Sequence, residues 1–143
     1  MSQVPSSFSG GCACGAIRYE CLHAPVAMFK CHCRDCQHAS GTGHFPSVFV
    51  SKKDFHVNKG QPRIHVVTAA SGASAHRAFC AECGSPLFGW STSRPDFIGV
   101  RVGSLDDSSW FSPTWDFWTV SAQPWDVMNE ETQKIGTEPP PKE

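Results

Sequence analysis

The chain has 143 residues, 12 basic and 13 acidic side chains, and a net charge of −1. That length suits one domain, and the balanced charge excludes the basic footprint of a nucleic-acid or acidic-membrane binder. No stretch approaches the ~18 apolar residues of a membrane span, and the opening "MSQVPSSFSG" lacks the apolar run of a signal peptide, so the expected setting is cytoplasmic.

In chain order, residues 1–9 are expected to be a flexible N-terminus, 10–127 a single domain and 128–143 a mobile polar tail ending in "PPPKE". "AIRYEC" (16–21) alternates Ile17, Tyr19 and Cys21 against Arg18 and Glu20, the pattern of a half-buried strand. "HAPV" (23–26) signals a turn, and "AMFKC" (27–31) is expected to return as the partner strand. Residues 34–40 are predicted as a short helix. Further strands are predicted at 46–50, 62–69, 76–80, 86–90, 96–103 and 116–120, separated by Gly, Pro, Ser and Asp. The expectation is a mainly β domain of short antiparallel strands with little helix.

Eight cysteines are too many for ordinary use in a reducing compartment, where disulfides are rare and metal ligation is the commoner role. They fall as Cys12-x-Cys14, a lone Cys21, Cys31-x-Cys33-x-x-Cys36, and Cys80-x-x-Cys83. Two pairs far apart in sequence suit one tetrahedral structural zinc held by Cys12, Cys14, Cys80 and Cys83. In "CAECGS", Gly84 can adopt the positive φ that a turn around a metal demands. A thioredoxin-like redox pair at Cys80/Cys83 is the competing reading, but the βαβ context of that motif is lacking.

Cys31, Cys33 and Cys36 are one ligand short of four. Cys21 is one candidate. With a hairpin turn at 23–26, however, Cys21 lies opposite Met28, so Cys31 is three residues further along, roughly 10 Å at the rise of a strand. Thiolates sharing one zinc lie under about 4 Å apart, and Cys21 reads as a small buried apolar residue. His32, His38 and Asp35 are the other candidates. His32 alternates away from its flanking cysteines and His38 faces another side of the helix, and a surface role is expected for each of the three. The remaining arrangement is three protein ligands plus an exchangeable position, as in catalytic zinc sites. Three thiolates on Zn²⁺ leave a net charge of −1, which makes a weak Lewis acid but suits holding an exogenous thiol in its ionised form. A metal-buffering or redox-sensing use of the same cluster is a further reading.

The motifs "GGCACGAIRYEC", "CHCRDCQHASGTG", "FCAECGSPLF" and "VGSLDD", in that order, resemble the glutathione-dependent formaldehyde-activating (GFA) family, which shares its domain with the centromere-protein-V-like proteins. The resemblance runs from about Gly10 to Trp125. It implies a β-tent fold with two zinc ions per chain. Cys12, Cys14, Cys80 and Cys83 would hold the structural ion, and Cys31, Cys33 and Cys36 the catalytic ion with its open position. The implied activity is that of a carbon–sulfur lyase joining glutathione and formaldehyde as S-hydroxymethylglutathione. Its partner would be a small-molecule thiol, with no role for nucleic acid or membrane. The alternative within the family is a non-catalytic, zinc-stabilised module that binds glutathione or a protein. Arg18, Lys30, Arg34, Arg77, Arg94 and Arg101 are the cations available to glutathione's carboxylates, none singled out by sequence. Asp116 stands where family members often carry a histidine. Trp115, Phe117, Trp118 and Trp125 form an aromatic group expected mostly to pack the core.

Overall fold

The computed structural model describes residues 3–69 and 71–137. Eleven strands and one α-helix are present among them: β1 (Phe8–Gly11), β2 (Arg18–Cys21), β3 (Ala27–Cys31), α1 (Arg34–Ser40), β4 (Phe45–Ser51), β5 (Phe55–Lys59), β6 (Arg63–Thr68), β7 (Ser74–Phe79), β8 (Pro86–Ser91), β9 (Phe97–Arg101), β10 (Trp115–Phe117) and β11 (Gln133–Ile135). The mainly β expectation holds, and so does the helix at 34–40. Cys33 caps that helix by accepting from the Cys36 N–H, and Gly41 closes it in the left-handed region.

Eight strands form one sheet in the order β11-β10-β3-β4-β9-β8-β7-β6, and β1-β2-β5 form a second. Most pairings are antiparallel, but β10 runs parallel to both β3 and β11, so the large sheet is mixed. The expected hairpin between 16–21 and 27–31 does not form. β2 pairs with β1 and β5 in the small sheet, whereas β3 pairs with β4 and β10 in the large one. The turn at 23–26 therefore passes the chain between sheets. Alternation in "AIRYEC" specifies a strand with one buried face but not which neighbour covers its edge.

The core lies between the two sheets. Ile17, Tyr19 and Cys21 pack against Val48, Val50, Leu87, Ile98 and Val100. Tyr19 is fully buried, and its hydroxyl is satisfied by Ser104 Oγ at 2.6 Å. Phe55 bridges Tyr19 and Phe88, with ring centroids 5.2 and 4.8 Å away.

Strands reach into both flanking segments of the chain. β1 begins at Phe8, inside the segment expected to be flexible, and β11 lies inside the segment expected to be a mobile tail. The polar composition after Met128 conceals two anchors. β11 adds its backbone to the edge of β10, and buried Thr132 donates to Asp116. The remainder of the expected tail, 138–143, lies outside the described residues.

The large sheet has two faces with different tasks. Val48, Val50, Ile98 and Val100 point into the core. Their strand neighbours Ser47, Phe49, Gly99 and Arg101 point the other way, as a period of two requires. The register sets Phe49 beside Gly99, Gly99 beside Gly89 and Gly89 beside Arg77. Phe29 lies beside Ser47, and Cys31 between Phe45 and Phe117. This second face is the floor of a cleft.

Candidate metal centres and cleft

The first cysteine group gathers from two turns. Cys12 and Cys14 follow β1, where Cys12 N–H donates to Ile17 O at 3.2 Å and Ile17 N–H reaches Cys12 Sγ at 3.2 Å. Cys80 and Cys83 sit between β7 and β8, in a turn closed by Gly84 N–H to Cys80 O at 2.8 Å and by Cys80 N–H to Ser85 O at 3.0 Å. Gly84 has φ +77°, a conformation that side chains other than glycine seldom adopt. The four sulfurs lie within 4.8 Å of one another, with Cys12–Cys14 at 3.6 Å and Cys14–Cys80 at 3.8 Å. Thiolates at about 2.3 Å from a tetrahedral zinc stand about 3.8 Å apart, whereas a disulfide requires about 2.0 Å. All eight cysteines are free. The donor set and its spacing therefore fit a zinc ion. The Ser85 hydroxyl, 3.1 Å from Cys83 Sγ, together with the Ser85 N–H, holds the Cys83 thiol down to about 5.

The second group comes from one local segment. Cys31 ends β3, Cys33 caps α1, and Cys36 lies in the first turn of that helix, so a strand-to-helix corner brings the three sulfurs within 4.8 Å. Cys36 is buried and the other two are half-buried. Hydrogen bonds from Cys31 and Cys33, together with the positive charges of Arg101 and Arg77, hold the Cys36 thiol well below its ordinary value. The same neighbouring sulfurs push Cys31 up.

These sulfurs open into the cleft above the sheet, whose walls include Phe49, Trp90, Phe97, Arg77, Arg101 and Trp118. Arg101 lies over the Phe45 ring at 4.1 Å and donates to Ser47 Oγ at 3.0 Å. Arg77 Nη1 is buried and has no hydrogen-bond partner among the described residues. A buried guanidinium N–H is costly to leave unpaired. Trp118 is held at φ +59°, which is strained for a bulky side chain. Its N–H donates to Thr137 O at 3.2 Å, and Ser121 N–H donates back to Trp118 O at 3.1 Å.

The other candidates fall elsewhere. Cys21 is fully buried and donates to His23 O at 3.4 Å, and it belongs to neither sulfur group. His38 is exposed. Asp35 lines the rim of the cleft without joining the sulfurs. His32 departs from the expected surface role, because it is 1% exposed and its Nε2 stands 2.7 Å from Asp116 Oδ1. Alternation turns it away from the sulfurs, but that side is interior, covered by β10. Arg18 pairs with Asp106 on the surface, and Arg34 donates to Gln37. Among the six cations, Arg77 and Arg101 carry the charges that act on the Cys36 thiol. Phe117 is buried, whereas Trp125 is 65% exposed, so the aromatic group does not act as a unit.

Among solved structures, a crystal structure of a Rhodobacter sphaeroides protein shares the fold, with a TM-score of 0.56 at 21% identity over 89% of this chain and 99% of that one. A Halomonas elongata protein, provisionally named a glutathione-dependent formaldehyde-activating enzyme, is 24% identical over 101 residues. That match takes in 68% of this chain and 64% of the relative, so the chain spans somewhat less than two thirds of the relative's length. The sequence model described as glutathione-dependent formaldehyde-activating enzyme matches residues 7–121, which include all eight cysteines. With most of its length inside that match, the chain belongs to the glutathione-dependent formaldehyde-activating enzyme family.

Proposed function

We propose that this chain is a zinc-dependent enzyme of carbon–sulfur lyase type, acting on a glutathione–aldehyde adduct such as S-hydroxymethylglutathione. The observation that carries the reading is the cleft itself, where three clustered thiols share one surface with two arginines, one of which has an unpaired buried N–H. Cys12, Cys14, Cys80 and Cys83 would hold a structural zinc. Cys31, Cys33 and Cys36 would hold a second zinc whose remaining position faces the cleft. When bound there, the ion supplies a site at which an exogenous thiol stays ionised at neutral pH.

The chain's own residues do the rest. Three thiolates on Zn²⁺ sum to −1, and Arg77 with Arg101 brings the local sum to +1, which suits a thiol carrying carboxylates. Arg77 Nη1–H would donate a charge-assisted hydrogen bond to one of those carboxylates. The apolar walls at Phe49, Phe97 and Trp90 exclude water from a small aldehyde. Holding thiol and aldehyde together makes their encounter effectively unimolecular, which is the main physical source of acceleration here. In the forming direction the thiolate sulfur donates its electron pair to the carbonyl carbon, and the carbonyl oxygen takes up a proton from solvent. The lyase direction reverses both.

A binding module without turnover is the second reading. It is favoured by Val120, Trp125 and Val127, which are 70%, 65% and 85% exposed and suit a partner more than solvent. Incubation with glutathione and formaldehyde, monitored by the exchange of ¹³C-formaldehyde with its thiol adduct in NMR, separates the two. Exchange faster than in buffer, abolished in Cys36→Ala, supports the enzyme. Exchange at the buffer rate with glutathione bound supports the module.

A further inference from the structure

On the interior side of β3, behind the cysteine corner, His32, His44 and Asp126 bring three ligand atoms within 4.8 Å of one another. None of the three belongs to either sulfur group. His32 is 1% exposed, and its two ring nitrogens have different fates. Nε2 lies 2.7 Å from Asp116 Oδ1, a carboxylate held in turn by the Thr132 hydroxyl and by Lys134 Nζ at 3.8 Å. With Nε2 turned to Asp116, the other ring nitrogen, Nδ1, points away from that carboxylate.

That Nδ1 is buried and has no hydrogen-bond partner among the described residues. It faces Asp126 Oδ2 at 3.5 Å. The gap is too wide for a hydrogen bond, which would close it to about 3.0 Å. Two donor atoms bound at about 2.1 Å to one tetrahedral ion stand about 3.4 Å apart. His44 completes the set, with Nδ1 2.7 Å from the same Asp126 oxygen and its ring 5.5 Å from that of His32. Gly43 makes the approach possible, since a Cβ there would lie 2.5 Å from Asp126 Oδ2 and 2.7 Å from its Cβ and Cγ.

We propose that His32 Nδ1, His44 and Asp126 form a third metal site, selective for a first-row divalent transition ion, with Asp116 orienting His32 from behind. Two imidazoles and one carboxylate suit zinc, iron, cobalt or nickel and disfavour calcium and magnesium. A carboxylate on the far nitrogen of a ligating histidine is the usual support of such a ligand. Ligation by His44 Nδ1 requires the tautomer with the proton on Nε2 and moves the ring back by about 0.7 Å, from 2.7 Å to the ~3.4 Å between two donors on one ion. That movement is open to it, because the His44 and Asp126 side chains are 19% and 13% exposed. The same exposure is the ion's route of entry.

The test is a zinc titration of the full-length folded protein, counted by native mass spectrometry, on the wild type, His44→Gln, Asp126→Asn and Gly43→Ala. The wild type should take up one equivalent more than His44→Gln and Asp126→Asn, with circular dichroism unchanged. Gly43→Ala should lose the same equivalent without altering a ligand. Asp116→Asn should retain the site with affinity weakened about 10–100-fold. Cys36→Ala should keep this ion whatever happens at the sulfur groups, so the outcome is independent of the proposed lyase activity. Equal counts in wild type, His44→Gln and Asp126→Asn would overturn the proposal. So would NMR detection of both N–H protons on His32 in zinc-saturated protein, which would show that Nδ1 carries a proton and no metal.

Discussion

At the scale of single residues, the two sulfur groups should respond differently to the loss of one ligand. Structural zinc contributes about 10–16 kcal/mol to folding in small zinc domains, comparable to the entire 5–15 kcal/mol stability of a typical domain. Cys80→Ala is therefore expected to give unfolded or aggregated protein. Cys36→Ala should remain folded, with one ion fewer and no turnover, as read by native mass spectrometry beside circular dichroism. Equal loss of folding in both variants would make both groups structural. Arg77→Gln removes a guanidinium whose Nη1 has no partner among the described residues. Its stability should be near wild type, while the lost charge-assisted bond of about 1.5–3 kcal/mol raises KM for glutathione by roughly 10–100-fold. An unchanged KM would remove Arg77 from the binding role. Gly84→Ala places a side chain at φ +77°, and about 1–2 kcal/mol of destabilisation is expected in chemical denaturation.

At the scale of elements, the chain after Met128 has the clearest consequence. β11 is short and polar, yet it covers the edge of β10, and Thr132 before it supplies a hydroxyl to buried Asp116. Thr132→Val leaves that carboxylate short of a donor and should cost about 1–3 kcal/mol in urea unfolding. No change would return this segment to the role of a tail. The pair Arg18–Asp106 joins β2 of the small sheet to the segment after β9, with contacts of 2.8 and 2.5 Å. The Arg18 hydrogen bonds hold the Asp106 carboxyl below its ordinary value. Its contribution is thus present above the unfolded pKa of about 3.9 and is lost as pH falls through the lower folded value. The side chains are 37% and 51% exposed, so screening keeps the contribution small, under about 0.5 kcal/mol. Asp106→Asn should move the stability curve barely at all above pH 5 and not at all near pH 2.

At the scale of the whole molecule, a sandwiched core and a proposed metal clamp share the task of stability. The four-sulfur group joins the turn after β1 to the turn after β7, segments 66 residues apart at Cys14 and Cys80. Prolonged treatment with a strong chelator is expected to lower the thermal midpoint by tens of degrees and to expose core Tyr19 and Trp110, read as a shift in intrinsic fluorescence. A chelated protein that melts as before would show that the core alone sustains the fold. The large sheet then has a simple division of labour, with one face packed against the small sheet and the other forming the cleft.

Alternation and turn residues placed most strands and the helix at 34–40, because period and punctuation are local properties of the chain. Cysteine spacing also identified the seven sulfurs that come together, since each turn that gathers them is itself local. Strand partners were not legible. β2 and β3 go to different sheets, so no hairpin register between them separates Cys21 from Cys31. The fully buried position of Cys21, away from both sulfur groups, is what excludes it. His44 and Asp126 drew no notice in sequence, because they meet only when chain 82 residues apart is folded together. Nor could Arg77 and Arg101 be told from four other cations until the register of β7, β8 and β9 turned them towards the thiols. The sequence by itself determined the local geometry of the cysteine turns. The tertiary structure decided which side chains face the cleft and which face the interior, because that depends on contacts no short stretch of chain contains.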